Sequence, residues 1–138
     1  MQSPDLARDY IERATVRLEA LEVLFQRESW ADVVRESQEI VELALKGLLL
    51  ACGIDPPRVH DVSGVLLSEQ SRLPEALLPE LGDLAQISRE LRRDRELAFY
   101  GAADLTPSGF YKRPDAERAR AGALRTVEVV AAHRSLFR

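Results

Sequence analysis

The chain has 138 residues, of which 46% are hydrophobic and 30% charged, with a formal net charge of −4. That length supplies one domain, spanning residues 1 to 138, whose core needs no metal or disulfide, and the single cysteine, Cys52, has no partner for an internal bridge. The negative balance argues against a surface that coats nucleic acid, and the apolar runs fall far short of the ~18 residues of a membrane span, so neither DNA nor a membrane is an expected partner.

Seven glycines, few aromatics and abundant Ala, Leu, Glu and Arg predict an all-α chain. No charged-then-apolar leader opens it, and the expected location is the cytoplasm, with Cys52 a small buried hydrophobe. Only Lys46 and Lys112 among the 19 basic residues are lysines, an excess of arginine that indicates no function by itself.

Residues 5 to 27 predict an amphipathic helix. Asp5 follows Pro4 in a capping position, and Leu6, Tyr10, Ala14, Leu18, Leu21, Leu24 and Phe25 recur at helical spacing. Arg8, Asp9, Glu12, Arg13 and Glu19 occupy the other sides. A weaker apolar line, Val16, Ala20 and Val23, is either a place for a second copy or an ordinary scatter of exposed apolar residues. The link to the next helix is little more than Arg27 and Glu28, which forces the two helices to lie antiparallel and adjacent.

Residues 29 to 52, SWADVVRESQEIVELALKGLLLAC, predict the central helix. Ser29 and Asp32 read as an N-cap with an acidic N3 partner, and Gly53 stands where a C′ glycine stops a helix. Apolar residues cover most of its circumference, as in a helix buried on nearly all sides. One narrow polar line interrupts them: Arg35, Glu39, Glu42 and Lys46, within roughly 60° of each other. This seam is either the one solvent-facing line, with Glu42 and Lys46 an i,i+4 pair, or the lining of a cleft or subunit interface.

Two prolines make the stretch after Gly53 an extended loop that reaches His60, and Asp61 can cap a short helix from Val62 to Ser71. His60 either bonds loop backbone or contacts a ligand; without ligand-spaced partners it does not indicate a metal. A one-turn piece at 74–78 leads into a long helix from Pro79 to Phe99. Its apolar face, Leu81, Leu84, Leu91 and Phe99, also carries Ser88, Arg92 and Arg95. Arginines on a buried face need carboxylates, and the nearest supply is Glu39 and Glu42, so a guanidinium–carboxylate contact between these helices is expected. Residues 104 to 114 form a loop whose Phe110, Tyr111, Lys112 and Arg113 either stack on a base or tuck the rings onto the core. Asp115 caps the last helix, with Ala116, Ala119, Ala123, Val127 and Val130 as its apolar stripe, and the chain ends in the cations Arg134 and Arg138.

In their order and spacing, ESQEIVELALKGLLLACGI, PPRVHDV and RELAFYG resemble the HEPN domain family, the nucleotide-binding domain of higher eukaryotes and prokaryotes, over roughly residues 5 to 132. The resemblance implies an all-α, up-and-down antiparallel bundle of about five helices, similar to the substrate-binding domain of nucleotidyltransferases and often a homodimer. Many members are metal-independent ribonucleases that use an arginine followed four to six residues later by a histidine. Arg95 matches that arginine, but no histidine follows, and Tyr100 is the nearest substitute. A tyrosine is a poor base at neutral pH. The resemblance therefore implies a non-catalytic HEPN protein that dimerises and presents Arg95, Tyr100, Lys46 and Arg92 to a nucleotide, an RNA or a nucleotidyltransferase partner, in a toxin–antitoxin-like or substrate-binding role. The alternative is a divergent metal-independent endoribonuclease acting as a toxin. No cofactor and no metal are expected.

Overall fold

The computed structural model of the protein describes residues 4–100 and 106–137, and of residues 93–100 the backbone alone. The first two helices are α1, Pro4–Gln26, and α2, Trp30–Ala51. Glu28, at φ 57°, turns the chain between them, and the Ser29 N–H donates to Leu24 O at 3.0 Å. α1 lies antiparallel along α2, with Ala7, Ala14 and Leu21 buried one above another. Small residues let the backbones close up. A Cβ on Gly47 would stand 3.1 Å from Tyr10 Cβ and 3.3 Å from Ala7 O, so glycine is what the crossing requires.

α2 is the hub. It packs against α1 and against two later helices, and Val33, Val34, Ile40, Val41, Ala44, Leu45, Leu48 and Leu49 are each no more than 2% exposed. Its C-terminus closes as the glycine predicts. Gly53 takes φ 73°, the Gly53 N–H donates to Leu50 O at 3.1 Å and the Ile54 N–H to Leu49 O at 2.9 Å, which is a Schellman motif with Ile54 buried behind it. Its N-terminus differs in detail from expectation. Ser29 holds the N-cap position, but its hydroxyl donates to the Asp32 carboxylate at 2.6 Å rather than accepting from the backbone.

Beyond the extended loop come α3, Ser63–Ser68, two single 3-10 turns at Gln70–Arg72 and Glu75–Leu77, and then α4, Leu78–Tyr100. The Asp61 carboxylate accepts from the Ser63 N–H at 2.9 Å from one residue before the N-cap, which is Val62, and α3 is shorter than expected because a 3-10 turn replaces its second half. A one-turn helix, α5, Pro107–Phe110, precedes α6, Arg113–Ala131, and a last 3-10 turn spans Arg134–Phe137. Two predicted caps move. Asp5 lies inside the first turn of α1, where it pairs with Arg8. Asp115 lies at N3 of α6, where it accepts from the Lys112 N–H at 2.9 Å, because Arg113 and Pro114 already belong to the helix.

Ion pairs fix the directions of the long helices. Glu28 meets Arg113 at 3.2 Å and Glu22 meets Arg120 at 2.7 Å, so α1 and α6 run opposite. Glu80 and Asp83 both meet Arg125 while Glu90 and Leu91 lie by Arg118, so α4 also runs opposite to α6. The result is an all-α, antiparallel bundle of four long helices, with no strand among the described residues. Of the loop aromatics, Tyr111 is buried against the core and Phe110 stays exposed. Arg113 lies 4.7 Å over the Trp30 ring, which occupies one face of its guanidinium.

Candidate functional site

The polar seam of α2 opens towards α1. Antiparallel pairing about a turn near residue 28 brings Tyr10, Arg13 and Arg17 opposite Lys46, Glu42 and Glu39. With Leu43 and His60 these residues line a cleft of about 240 Å³.

Two carboxylates organise it. Glu39 is held by Arg17 Nη2 at 3.2 Å and Arg35 Nη1 at 3.4 Å, while the Arg17 Nε donates to Glu36 at 2.7 Å. Burial works against the Arg17 charge, but its hydrogen bond to Glu36 and the attraction of Glu36 and Glu39 outweigh it and raise its pKa above the ordinary value. Glu42, with its side chain 19% exposed, receives three donors. Lys46 Nζ lies 2.8 Å from Oε2, and Gln38 Nε2 and His60 Nδ1 lie 2.9 and 2.8 Å from Oε1. Burial pushes the Glu42 carboxyl up, yet the hydrogen bonds from Lys46, Gln38 and His60 more than offset it and leave the group below the usual carboxylate range.

The expected partners of this seam are Arg92 and Arg95 of the long helix; for Arg92 the structure differs, and the contact expected of Arg95 lies outside the described residues. The carboxylates are engaged by α1, by α2 itself and by the loop, and Arg92 is half-buried on α4 without lining the cleft. The side chains of Arg95 and Tyr100 lie outside the described residues. Lys46, Glu39 and Glu42 are therefore brought together, with Arg35 at their edge, and Arg92 is not. α4 contributes to the loop through Ser88 instead, whose buried hydroxyl accepts from the Val62 N–H at 2.9 Å and so holds the segment after His60.

Arg17 and Tyr10 were missed as site residues, although the signal was present. In a hairpin with so short a turn, positions on the two helices that sum to about 56 face each other, which pairs 17 with 39 and 10 with 46. Glu42 as the partner of His60 was not readable in this way, because the loop's path is set by prolines and by Ser88 on a helix far along the chain.

Chemically the cleft offers cationic donors to an anion. Lys46 spends one of three N–H donors on Glu42, and Arg13 is tied only loosely, at 3.7 Å, to Asp9. His60, 43% exposed and bonded through Nδ1, keeps Nε2 for a ligand. Among the described residues no His, Cys, Asp or Glu group is arranged to hold a metal ion. No helix searched is long and apolar enough to cross a membrane.

The fold and cleft define a small all-helical bundle with a charged groove between its first two helices. Comparison with known families agrees: the model described as HEPN domain matches residues 7–133, nearly the whole chain, and the protein belongs to that family. No curated protein and no solved structure gives a match.

Proposed function

We propose that this HEPN protein is a binding module that dimerises and holds a nucleotide or RNA phosphate, or docks to a nucleotidyltransferase that carries one, without turning it over. The observation that supports it best is the cleft itself: Lys46 and Arg13 face one cavity with N–H donors to spare, while the Glu42 carboxylate beside them is already satisfied by Lys46, Gln38 and His60. At about 240 Å³ the cleft is smaller than the ~300–1,000 Å³ of most small-molecule sites, so it suits a phosphate and part of a sugar rather than a whole buried nucleotide. Catalysis is left out because Tyr100 stands where a histidine five residues after Arg95 would be needed, and a tyrosine at pKa ~10 does not take a proton at neutral pH. Arg95 and Tyr100 remain in the proposal as the family-derived anion contacts. Arg92 is dropped because it does not line the cleft.

One observation favours a second reading. A half-exposed histidine oriented by a carboxylate is the arrangement of a general base, and the His60–Glu42 pair would serve a divergent metal-free endoribonuclease. Incubating the purified protein with RNA in chelator, alongside a binding titration, separates the two. The expected result is binding without cleavage, weakened in Lys46→Ala by the ~1.5–3 kcal/mol of a charged hydrogen bond. Metal-free cleavage that is lost in His60→Asn replaces the first reading with the second. No binding of RNA or nucleotide by the wild-type chain removes both.

A further inference from the structure

His60 stands in the cleft with one ring nitrogen spent and the other open. Nδ1 lies 2.8 Å from Glu42 Oε1, and Nε2 has no partner among the described residues. The Glu42 carboxyl is held below its usual range and is therefore ionised at neutral pH, so it can only accept, and Nδ1 must be the nitrogen that carries the hydrogen. In a neutral ring Nε2 is then a bare lone pair. It repels the oxygens of an anion, and only the imidazolium presents an N–H at that position. The charges around the ring make this difference count. Arg13 is tied to Asp9, Arg17 to Glu36 and Glu39, Arg35 to Glu39 again, and Lys46 to Glu42, so that four cations meet four carboxylates. Flanking His60 on the loop, Arg58 and Asp61 add one charge of each sign, and Tyr10 adds a phenol. Among the described residues no charged group of α4 lines the cleft, and α4 holds the loop through the uncharged Ser88. Histidine is the side chain that changes charge between about pH 5 and 8. His60 thus decides whether this cluster is balanced or carries one net positive charge.

We propose that His60 is a proton-dependent contact for the anion: the ligand enters the cleft together with a proton from solvent, the proton settles on Nε2, and the Nε2–H donates to the anion beside the spare donors of Lys46 and Arg13. This rests on the phosphate-binding reading above and adds its regulation. Binding is strong when the ring is charged and weak when it is not. By linkage, the bound anion in turn raises the hold of the ring on its proton. Glu42 is the positioning residue, since its carboxylate fixes which nitrogen is left for the ligand and favours the imidazolium by its own charge. The sign separates this role from that of a general base, which works from the neutral ring and gains as the pH rises.

Isothermal titration calorimetry of the full chain with sulfate and with uridylyl-uridine, from about pH 5.5 to 8, tests it, because neither ligand changes its own charge over the range in which histidine does. The wild type should bind both about tenfold tighter, or more, at the acid end. The measured heat should vary with the ionisation enthalpy of the buffer as uptake of a single proton requires. His60→Asn keeps a donor towards Glu42 but has no titrating group, so its affinity should be low and level with pH. Glu42→Gln should shift the profile to lower pH, and a profile left in place overturns the part given to Glu42. His133, the other histidine, bonds Val129 O outside the cleft, and His133→Asn should leave the profile unchanged. The His60 side chain is 43% exposed, so an unchanged thermal melt confirms that its variant is folded. Wild-type affinity that is level with pH or stronger at the alkaline end, or a pH dependence that persists in His60→Asn, overturns this inference and leaves the phosphate-binding reading standing. No binding of either anion at any pH overturns both.

Discussion

Glu42 has more asked of it than any other side chain described, since one carboxylate answers Lys46, Gln38 and His60 at once. Removing it takes that acceptor from a largely buried ammonium and from the buried Gln38 amide, so Glu42→Ala should cost about 1–3 kcal/mol at neutral pH. Chemical denaturation showing less than ~0.5 kcal/mol would mean that the pair behaves as a surface one. The acid dependence follows from the same bonds. The folded-state pKa is lowered from the ordinary 4.5, so between the two values the unfolded chain binds the proton and the folded chain does not. The stabilisation is therefore complete above about pH 4.5 and is lost as the pH falls through the folded value. Urea midpoints of the wild type should fall more steeply on acidification than those of Glu42→Gln, and parallel curves would disprove the linkage. Cys52 makes a simpler case. Burial pushes its thiol up against a smaller pull from Arg72, so thiolate is scarce at neutral pH and native alkylation should be far slower than that of the urea-unfolded chain.

Within the elements, glycines mark where helices meet or stop. Gly47 gives up about 1 kcal/mol of helix propensity relative to alanine, and on an isolated helix Gly47→Ala would stabilise. Here the new methyl would meet Tyr10 Cβ and the Ala7 carbonyl, neither of which is the free end of a flexible side chain. The expected outcome is a net loss of about 1–3 kcal/mol by overpacking, read as a lowered thermal midpoint; a raised midpoint would show that α1 can move outward freely. At Gly53 the added methyl meets open space apart from Arg72, and the penalty comes from φ 73° alone, about 1–2 kcal/mol for an L-residue held left-handed.

For the whole molecule, α2 touches α1, α4 and α6, and the inter-helix ion pairs Glu22–Arg120, Glu28–Arg113 and Asp83–Arg125 tie the outer helices to each other. The buried apolar residues described form one cluster, so the chain should unfold in one step. Trp30 reports on the α1–α2–α6 corner, since its ring packs on Phe25 and under Arg113. Its fluorescence and the far-ultraviolet circular dichroism should give coincident urea transitions, and a separate earlier loss of helix signal would break the single-unit account. Lys46 lies far along α2 from that corner, so Lys46→Ala should weaken phosphate binding without shifting the fluorescence transition by more than a surface substitution does.

The sequence by itself determined the four long helices, their order, the buried wrap of α2 and the polar seam within it, because periodicity and end signals such as Gly53 act over a few residues and need no distant partner, whereas the one-turn α5 lies in a stretch that reads as loop. It also carried the family, through the order of its segments. What it could not assign was who answers the seam. Spacing puts Arg92 on the same face as Leu81, Leu84 and Leu91, yet Arg92 does not line the cleft, because the angle at which α4 lies on α2 decides which residues of that face reach Glu39. The antiparallel α1 gave the carboxylates Arg17 instead. The same holds for His60, whose role depends on a loop held in place by Ser88 on α4. Local pattern fixes which way a side chain points around its own helix; only the packing of several helices fixes what stands opposite, because that depends on interaxial distances set by every residue at the contact.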